Sequence, residues 1–381
     1  IVLVERCVMV KLFEPIELRS LRLPNRVVVA PMTQFSADEG VAGDWHLMHL
    51  GQYAASGAAL TLTESCYVAS NARNARSCLS LYTDEQETAV SRIAQFFENH
   101  SDGFFGVQLA HAGRKASARE PFKGGGYLSV EDGGYQAFAP SAVPLADDFP
   151  APTPISAETI PDVIQCFVDS ARRAERAGAK VIELHGAHGY LIHQFLSPLT
   201  NRRNDEYGGS SANRMRFAID VFEAVRAVWP DQLPIGIRVS ATDWVDGGWS
   251  VEETVELGRV LDARGCDYIH VSSGGLSAAQ KITVGPGYQV GFAESVKAAV
   301  KMPVIAVGQI NNPDYAETIL QDGQADMIAL ARPVMYDPRW VWHAAHQLGA
   351  PIAYPRQYER GHPDRWGASG INAPGNLIPE K

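Results

Sequence analysis

Residues 303–333, PVIAVGQINNPDYAETILQDGQADMIALARP, hold two short apolar runs with a segment of helical character between them. The runs, 303–309 and 326–332, are rich in the apolar and β-branched residues that are typical of strands buried on both faces. The segment 312–322 has the length of a short helix. A strand, a helix and a second strand in this order predict a parallel βαβ unit.

The same alternation runs through the whole chain. The predicted strands are 26–31, 59–65, 103–110, 180–185, 234–240, 267–273, 303–309 and 326–332. The predicted helices are 44–57, 83–100, 156–178, 213–229, 250–264, 291–300, 312–322 and 337–349. Eight strands that are each followed by a helix predict an α/β fold with a closed parallel sheet, the (β/α)8 TIM barrel. An open doubly wound sheet is the alternative, but no GxGxxG turn follows the first strand.

We expect one domain, a barrel formed by residues 11–350. Residues 1–10, IVLVERCVMV, are apolar, but Glu5 and Arg6 interrupt the run and a small-residue cleavage site is lacking, so we expect neither an anchor nor a signal peptide. We expect these residues to be a leader outside the fold. The connection 111–155 after the third strand is too long for a plain loop. We expect it to form a capping insertion over the barrel.

The composition narrows the classes of function. The 381 residues have a formal net charge of -10 and a pI near 5.6, which argues against nucleic acid or an anionic membrane as the main partner. No apolar run reaches the roughly 18 residues that a transmembrane helix needs. The five cysteines are scattered without CxxC spacing, which predicts neither disulfides nor a cysteine-bound metal and favours a reducing cytoplasm.

The ends of the last two strands predict an anion site. In TIM barrels phosphate is commonly held by the loops after strands seven and eight. Gly308 lets backbone N–H groups approach an anion there, and Arg332, after Ala331, supplies a forked cation. A turn glycine and a surface salt bridge are the plain alternative.

Arg238 lies within the apolar strand PIGIRVS, where an unpaired guanidinium is expensive. An ion pair with Glu64 or Asp243 is one explanation, and a ligand that becomes anionic is the other. A flavin fits the second, because its reduction places negative charge on the pyrimidine side of the ring. Gln108 can bond a pyrimidine edge with both its donor and its acceptor.

The fourth predicted strand ends at His185, and His188 and Tyr190 follow it. A zinc site would need a third ligand; His193 falls where the chain turns helical and no carboxylate is suitably spaced, so no metal is expected. Two ordinary core histidines are an alternative. The favoured interpretation is a pair of N–H donors aimed at one carbonyl or nitro oxygen. Tyr190 would then be a proton donor, since an unperturbed phenol stays protonated well above neutral pH.

The segment HGAHGYLIHQFLSPLTNRRNDEYGGS, residues 185–210, resembles the signature of the Old Yellow Enzyme family of FMN-dependent ene-reductases. The resemblance extends in order through LPNRVVVAPMT, VQLAHAGRKA, VSSGG, PGYQVGFAE, VGQI and ALARP. QLAHAGRKA and QYERG, residues 357–361, resemble the thermophilic-like branch of that family. The resemblance implies FMN as cofactor, with NADPH or NADH as reductant. It places FMN on Ala30, Pro31, Met32, Thr33, Ser65, Gln108 and Arg238, with the phosphate on Gly308, Ala331 and Arg332.

The resemblance also implies the reaction. Hydride passes from NAD(P)H to the flavin N5 and then to the β carbon of an activated alkene. His185 and His188 hold the carbonyl or nitro oxygen of that alkene, and Tyr190 or water protonates the α carbon. The substrates implied are small-molecule α,β-unsaturated carbonyl or nitro compounds. An FMN-dependent nitroester or xenobiotic reductase and a catalytically silent flavin-binding barrel are the alternatives.

The thermophilic-like branch implies an assembly as well. Its terminal arginine, matched by Arg360, reaches the neighbouring subunit's active site, so the tail 351–381 implies a homodimer or a dimer of dimers. Two residues depart from the branch: Thr33 stands where cysteine is usual, and Phe35 where tyrosine is usual. Thr33 can still donate to the flavin, whereas Phe35 makes that wall of the substrate pocket more apolar.

Two other enzyme classes fit less well. A dienoyl-CoA-reductase-like relative would need an iron–sulfur cysteine cluster and a further nucleotide domain, which this sequence lacks. A phosphosugar aldolase or isomerase would use the phosphate site after strands seven and eight. A Schiff-base aldolase would also need a lysine at the C-terminal end of a strand, and no predicted strand ends in one.

Overall fold

The structure of the protein is a computed structural model, and the residues that it describes are 10–365. The predicted leader, 1–10, lies outside the described residues except for Val10, and the tail 351–381 is described as far as residue 365. The strands are β1 (Ile16–Leu18), β2 (Leu21–Leu23), β3 (Val27–Val29), β4 (Leu60–Tyr67), β5 (Phe104–Ala110), β6 (Phe138–Ala139), β7 (Thr153–Pro154), β8 (Val181–Gly186), β9 (Ile235–Ser240), β10 (Tyr268–Ser272), β11 (Val304–Val307) and β12 (Met327–Leu330).

Eight of these strands form a closed parallel barrel, in the order β3, β4, β5, β8, β9, β10, β11, β12 and back to β3. Each coincides with one of the eight predicted strands, so the predicted TIM barrel is confirmed. The residues of β4, β8 and β9 are all buried, because side chains point alternately into the barrel and out against the helices. The carboxyl ends of all eight strands therefore meet at one end of the barrel, the upper end.

The helices are α1 (Asp44–Ala54), α2 (Asp84–His100), α3 (Ile160–Arg176), α4 (Leu191–Leu196), α5 (Ser211–Arg226), α6 (Val251–Ala263), α7 (Val290–Lys297), α8 (Pro313–Gln321), α9 (Arg332–Tyr336) and α10 (Trp340–Leu348). Thr83 caps α2 by accepting from the Gln86 N–H, and the Gln86 side chain accepts in return from the Thr83 N–H, a capping box. The short helices α4 and α9 lie outside the predicted helical segments.

A β-hairpin that the sequence did not reveal lies at the lower end of the barrel. Strands β1 and β2 pair antiparallel, and Leu18 and Leu23 are buried in the same apolar cluster as residues of the barrel interior. The Arg19 Nε lies 2.6 Å from Asp267 Oδ1, just before β10. The hairpin thus packs against the end of the barrel where the strands begin.

The segment 111–155 contains the 3₁₀ turns Gly113–Lys115 and Pro121–Lys123 and the two-residue ladder of β6 and β7. The Arg203 guanidinium donates to the carbonyl oxygens of Pro140 and Ile155. These bonds tie the segment to the chain that follows α4. Its role as a cap stays a prediction.

Within residues 10–365, no helix combines the length and the hydropathy that crossing a membrane requires.

Candidate active site

Arg238 lies in the C-terminal half of β9, towards the upper end of the barrel. Its neighbours in register are His185 on β8 and His270 on β10. The side chain is buried, yet within the described residues its guanidinium has no hydrogen-bond or ion-pair partner, and Nε is fully enclosed. Burial lowers the pKa of Arg238, and the charge of Glu183 partly offsets this.

The two carboxylates considered as partners of Arg238 are occupied elsewhere. Glu64 Oε1 lies 3.1 Å from His46 Nε2, and Asp243 Oδ1 lies 2.9 Å from His193 Nε2, with all four side chains buried. A buried, unpaired cation costs several kcal/mol in a protein interior. The structure therefore favours the ligand explanation for Arg238 over the structural ion pair.

A cavity of about 250 Å³ opens beside Arg238, towards the ends of β11 and β12. Predicted site residues on its wall are His188, Arg238, Gly308, Ala331 and Arg332. Gly308 has φ 129° and a Cβ there would lie 2.7 Å from Gln289 Nε2, so only glycine leaves this wall open. The exposed Arg332 side chain has no hydrogen-bond partner within residues 10–365. A glycine turn beside an unpaired arginine can bind an anion.

Gln108 lies on β5 with its amide held at both ends. Ser65 Oγ donates to Gln108 Oε1 at 2.9 Å, and Gln108 Nε2 donates to Glu183 Oε1 at 2.7 Å. The amide still has one N–H and one lone pair for a ligand. Both predicted residues, Ser65 and Gln108, are therefore in contact with each other.

The residues after β3 form a turn at the same end of the barrel. Ala30 is buried and donates its N–H to the Leu330 carbonyl, and Pro31, Met32 and Thr33 follow it with increasing exposure. Phe35 has φ 49°, a left-handed conformation that is uncommon for a bulky side chain. Its ring meets Phe122 of the 111–155 segment edge to face, with 6.2 Å between centroids.

The two histidines lie side by side, with ring centroids 5.2 Å apart. The His185 Nδ1 is buried without a partner, whereas His188 Nε2 lies 2.8 Å from Ser272 Oγ. Burial, and then the charge of Arg238, lowers the pKa of both imidazoles. Both rings are therefore neutral near pH 7, and each has one N–H to donate.

The Tyr190 ring lies 4.8 Å from His185, centroid to centroid. Burial raises the pKa of Tyr190 to about 12, although the neighbouring Tyr67 hydroxyl opposes the rise. Tyr190 is therefore protonated at neutral pH. The structure brings His185, His188 and Tyr190 together, as expected from their spacing.

Lys115 is a site residue that sequence reasoning did not assign. Its Nζ donates to the carbonyl oxygens of His188 and Gly275, at 2.7 and 2.6 Å, and lies 5.6 Å from the centre of the Tyr190 ring. Burial, and then the charge of Arg114, lowers the pKa of Lys115 to about 8. The signal that could have revealed it was a lysine in QLAHAGRKA, shortly after the end of the third predicted strand.

Arg360 is exposed in the 3₁₀ helix Arg356–Gly361 and has no hydrogen bond to the predicted site residues of its own chain. The structure contains one chain, so its contact with a neighbouring subunit stays a prediction.

Within residues 10–365, no group of three or more His, Cys, Asp and Glu side chains could hold a metal ion.

These residues fit FMN. The exposed Arg332 and the Gly308 turn suit a phosphate, and the unpaired Arg238 suits the side of a ring that becomes anionic. Gln108 and Ser65 suit a pyrimidine edge. The neutral His185 and His188 suit an uncharged oxygen that gains negative charge in the transition state.

Comparisons with known proteins indicate a flavin oxidoreductase. Residues 11–350 match the family model of the NADH:flavin oxidoreductase / NADH oxidase family. The chain is 40% identical to an NADPH dehydrogenase of Geobacillus sp. (strain WCH70) over 352 residues, 92% of this chain and 98% of the relative. An NADPH dehydrogenase of Bacillus subtilis (strain 168) is 38% identical over 353 residues, 92% of this chain and 99% of the relative.

Solved structures match across most of the chain. Morphinone reductase superposes with a TM-score of 0.75 at 29% identity, over 90% of this chain and 91% of its own. The structure of an old yellow enzyme homologue from Zymomonas mobilis has a TM-score of 0.75 at 23% identity, over 90% of this chain and 94% of its own, and shows the shared fold.

Proposed function

Because the chain belongs to the NADH:flavin oxidoreductase / NADH oxidase family, the Old Yellow Enzyme family, we propose that it reduces the C=C bond of α,β-unsaturated carbonyl or nitro compounds. The predictions of the family, of FMN as cofactor, of NAD(P)H as reductant and of an NAD(P)H-dependent flavin oxidoreductase are confirmed. The substrate class and the roles of individual residues are the proposal.

The FMN site that we propose lies across the upper end of the barrel. Its residues are Ala30, Pro31, Met32, Thr33, Ser65, Gln108, Arg238, Gly308, Ala331 and Arg332. When bound at these residues, FMN would supply the transfer of hydride from NAD(P)H to the substrate carbon. The contribution of the protein is to fix the ring, to hold the substrate oxygen and to supply a proton.

The observation that carries the substrate proposal is the cluster of two neutral imidazoles and a protonated phenol beside Arg238. An alkene conjugated to a carbonyl or nitro group develops negative charge on oxygen as its β carbon gains hydride. Neutral N–H donors placed at that oxygen stabilise the charge, and they do so more strongly in a buried site than in water.

The hydrogen bonds around His188 indicate which of its nitrogens donates. Ser273 Oγ donates to Gln289 Oε1 at 2.6 Å, whereas Ser272 Oγ is 3.4 Å from the same oxygen. Since Ser273 makes the shorter bond, the Ser272 hydroxyl is available to donate to His188 Nε2. The His188 proton then lies on Nδ1, and this N–H can donate to the substrate oxygen.

Tyr190 supplies the proton to the α carbon in this proposal. With its pKa raised to about 12, the phenol is almost fully protonated at pH 7. The Lys115 ammonium, 5.6 Å from the ring centre, stabilises the phenolate that forms when the proton leaves. Phe35 forms an apolar wall of the same pocket.

The assembly is also a proposal. Arg360 would complete the substrate site of a neighbouring subunit, and the enzyme would be a cytoplasmic homodimer or a dimer of dimers. The segment 111–155 would cap the pocket, since Phe122 on it already contacts Phe35.

Anaerobic spectroscopy with a Tyr190→Phe variant tests the function. We expect NADPH to bleach the flavin band of both proteins equally. Cyclohexenone should restore the band about 10²- to 10⁴-fold more slowly in the variant, because general acid catalysis contributes that much. A Tyr207→Phe variant, whose phenol bonds Asp220 outside the site, should behave as the wild type.

Two outcomes would contradict the proposed substrate class, and a third would contradict the role of Tyr190. If enones failed to restore the band but a nitrate ester did, the enzyme would be a nitroester reductase. If neither restored it, the chain would be a silent flavin-binding barrel. Unchanged reoxidation in Tyr190→Phe would remove Tyr190 as the proton donor.

A further inference from the structure

Glu183 is a fully buried carboxylate inside the barrel that no role proposed so far explains. It lies on β8 between Gln108 on β5 and Gly236 on β9, and its exposed fraction is 0%. Burying a carboxylate lowers the stability of the fold unless its oxygens accept hydrogen bonds. The identity of its partners therefore indicates what it does.

Both carboxylate oxygens of Glu183 have partners inside the barrel, one on the neighbouring strand β5 and one on β10, the next strand but one. Oε1 accepts from Gln108 Nε2 at 2.7 Å, and Oε2 lies 3.0 Å from His270 Nδ1. Burial lowers the pKa of His270, so the ring is neutral and its Nδ1–H donates to the carboxylate. Glu183 thus has no cation at hydrogen-bond distance within the described residues. Arg238 acts on it only through space.

Glu183 allows one orientation of the Gln108 amide. In the orientation observed, the amide nitrogen faces Glu183 and the amide oxygen faces the Ser65 hydroxyl. A rotation of the amide by 180° would place its oxygen against the carboxylate, and two acceptors without a proton between them repel. The remaining N–H and lone pair of Gln108 are therefore presented to a ligand in a fixed arrangement.

We propose that Glu183 is a positioning residue for the flavin, which fixes the Gln108 amide against the pyrimidine edge and offsets the charge of Arg238. The inference rests on the proposed FMN site. The carboxylate reduces the positive potential at the ring, so the anionic reduced flavin is less stabilised than it would be by Arg238 alone. Glu183 therefore lowers the reduction potential of the bound FMN.

Two variants distinguish the effect of Glu183 on the orientation of the Gln108 amide from the effect of its negative charge. Glu183→Gln removes the charge and lets the Gln108 amide rotate, because a glutamine at 183 can both donate and accept. Glu183→Asp keeps the charge but withdraws the oxygens by one methylene. The midpoint potential of each holoenzyme is measured by equilibration with a redox dye, and the FMN affinity of each apoprotein by quenching of flavin fluorescence.

We expect the potential of Glu183→Gln to rise, by about 30 mV for a tenfold change in the equilibrium of a two-electron couple. Glu183→Asp should keep the wild-type potential and bind FMN about fivefold more weakly, the equivalent of one hydrogen bond. A Glu317→Gln variant, at the main-chain N–H groups of Lys11 and Leu12, should change neither quantity.

An unchanged or lowered potential in Glu183→Gln would overturn the inference. If that variant does not fold, wild-type FMN affinity in Glu183→Asp would overturn the positioning role. An Arg238→Met variant tests the proposed FMN site independently of Glu183. If this variant retained FMN, the proposed FMN site itself would be wrong. Loss of FMN in Arg238→Met together with wild-type behaviour of both Glu183 variants would reject the role of Glu183 alone.

Discussion

Two arginines at the lower end of the barrel and two at the upper end differ in whether other residues of the chain bind their guanidinium groups. At the lower end, Arg19 and Arg226 flank Asp267, at 2.6 and 3.6 Å, and Arg226 also donates to three carbonyl oxygens. At the upper end, Arg238 and Arg332 have no ion pair within residues 10–365. Arg19 and Arg226 are thus satisfied within the chain, whereas Arg238 and Arg332 are available to a ligand.

This difference indicates which arginines stabilise the fold and which are available to bind a ligand. Charges that are paired inside the chain stabilise the fold whether or not a ligand is bound. An unpaired buried cation destabilises the protein until an anion arrives, and it then contributes to the affinity for that anion. Polar groups left without partners at one end of a barrel are therefore evidence of a binding site, as departures from local consistency usually are.

The largest expected effect comes from exchanging arginine for methionine at each end. Arg238→Met should weaken FMN binding about 100-fold or more, since it removes a buried charge-assisted contact. The same change should stabilise the apoprotein by about 1–4 kcal/mol, because a buried unpaired charge is replaced by an apolar side chain of similar length. Urea unfolding of the apoprotein and flavin fluorescence measure the two quantities.

Arg226→Met is the matched control at the lower end. It should lower the free energy of unfolding by about 1–3 kcal/mol, as its carbonyl partners lose their donor, and leave FMN affinity unchanged. If both variants changed stability in the same direction, the contrast between the two ends would be wrong.

The second largest expected effect is a dependence of stability on pH, which arises from the buried histidines of the upper end. His111, which follows β5, has its pKa lowered to about 4 by burial, and the pKa of His185 and His188 is also lowered. Below pH 6.5 the unfolded chain binds protons that these folded imidazoles do not. The apoprotein should therefore lose about 1.4 kcal/mol per pH unit for each such group as the pH falls from 6.5 towards 4.

His111→Asn isolates one of these groups. Asparagine can still accept from the Gly113 N–H, as the His111 Nδ1 does at 3.0 Å, but it does not titrate. The slope of unfolding free energy against pH, measured in urea between pH 6.5 and 5, should fall by about 1.4 kcal/mol per unit. An identical slope in the variant and the wild type would show that His111 does not keep its neutral form in the folded protein.

The smallest expected effect is a change in KM when the contact between Phe122 and Phe35 at the upper end is removed. Phe122→Ala removes the edge-to-face partner of Phe35, a pair worth about 0.5–1.5 kcal/mol. The KM for an apolar enone should rise up to roughly tenfold, while the rate of flavin reduction by NADPH stays unchanged. Val130→Ala, on the same segment and also exposed, is the control. Equal KM values in both variants would exclude a substrate contact at Phe122.

Much of this organisation could be predicted from the sequence. The eight barrel strands coincide with apolar runs such as 303–309, because burial on both faces gives a local signal. Arg238 stood out because a polar residue inside an apolar strand needs a partner, and His185 and His188 stood out because they lie at the end of one. The hairpin Ile16–Leu23 was missed, since two three-residue strands carry too little periodicity to be recognised.

What the sequence determined by itself was the order of strands and helices and the identity of the residues at each strand end. Which of those residues touch was decided by the register between strands, which places Glu183 against Gln108 and leaves Arg238 unpaired. The approach of Lys115 to Tyr190 was likewise decided by the folded chain. These contacts join residues far apart in sequence, and no local pattern encodes such distances. The pairing of strands in the barrel and the path of the segments between them set these distances.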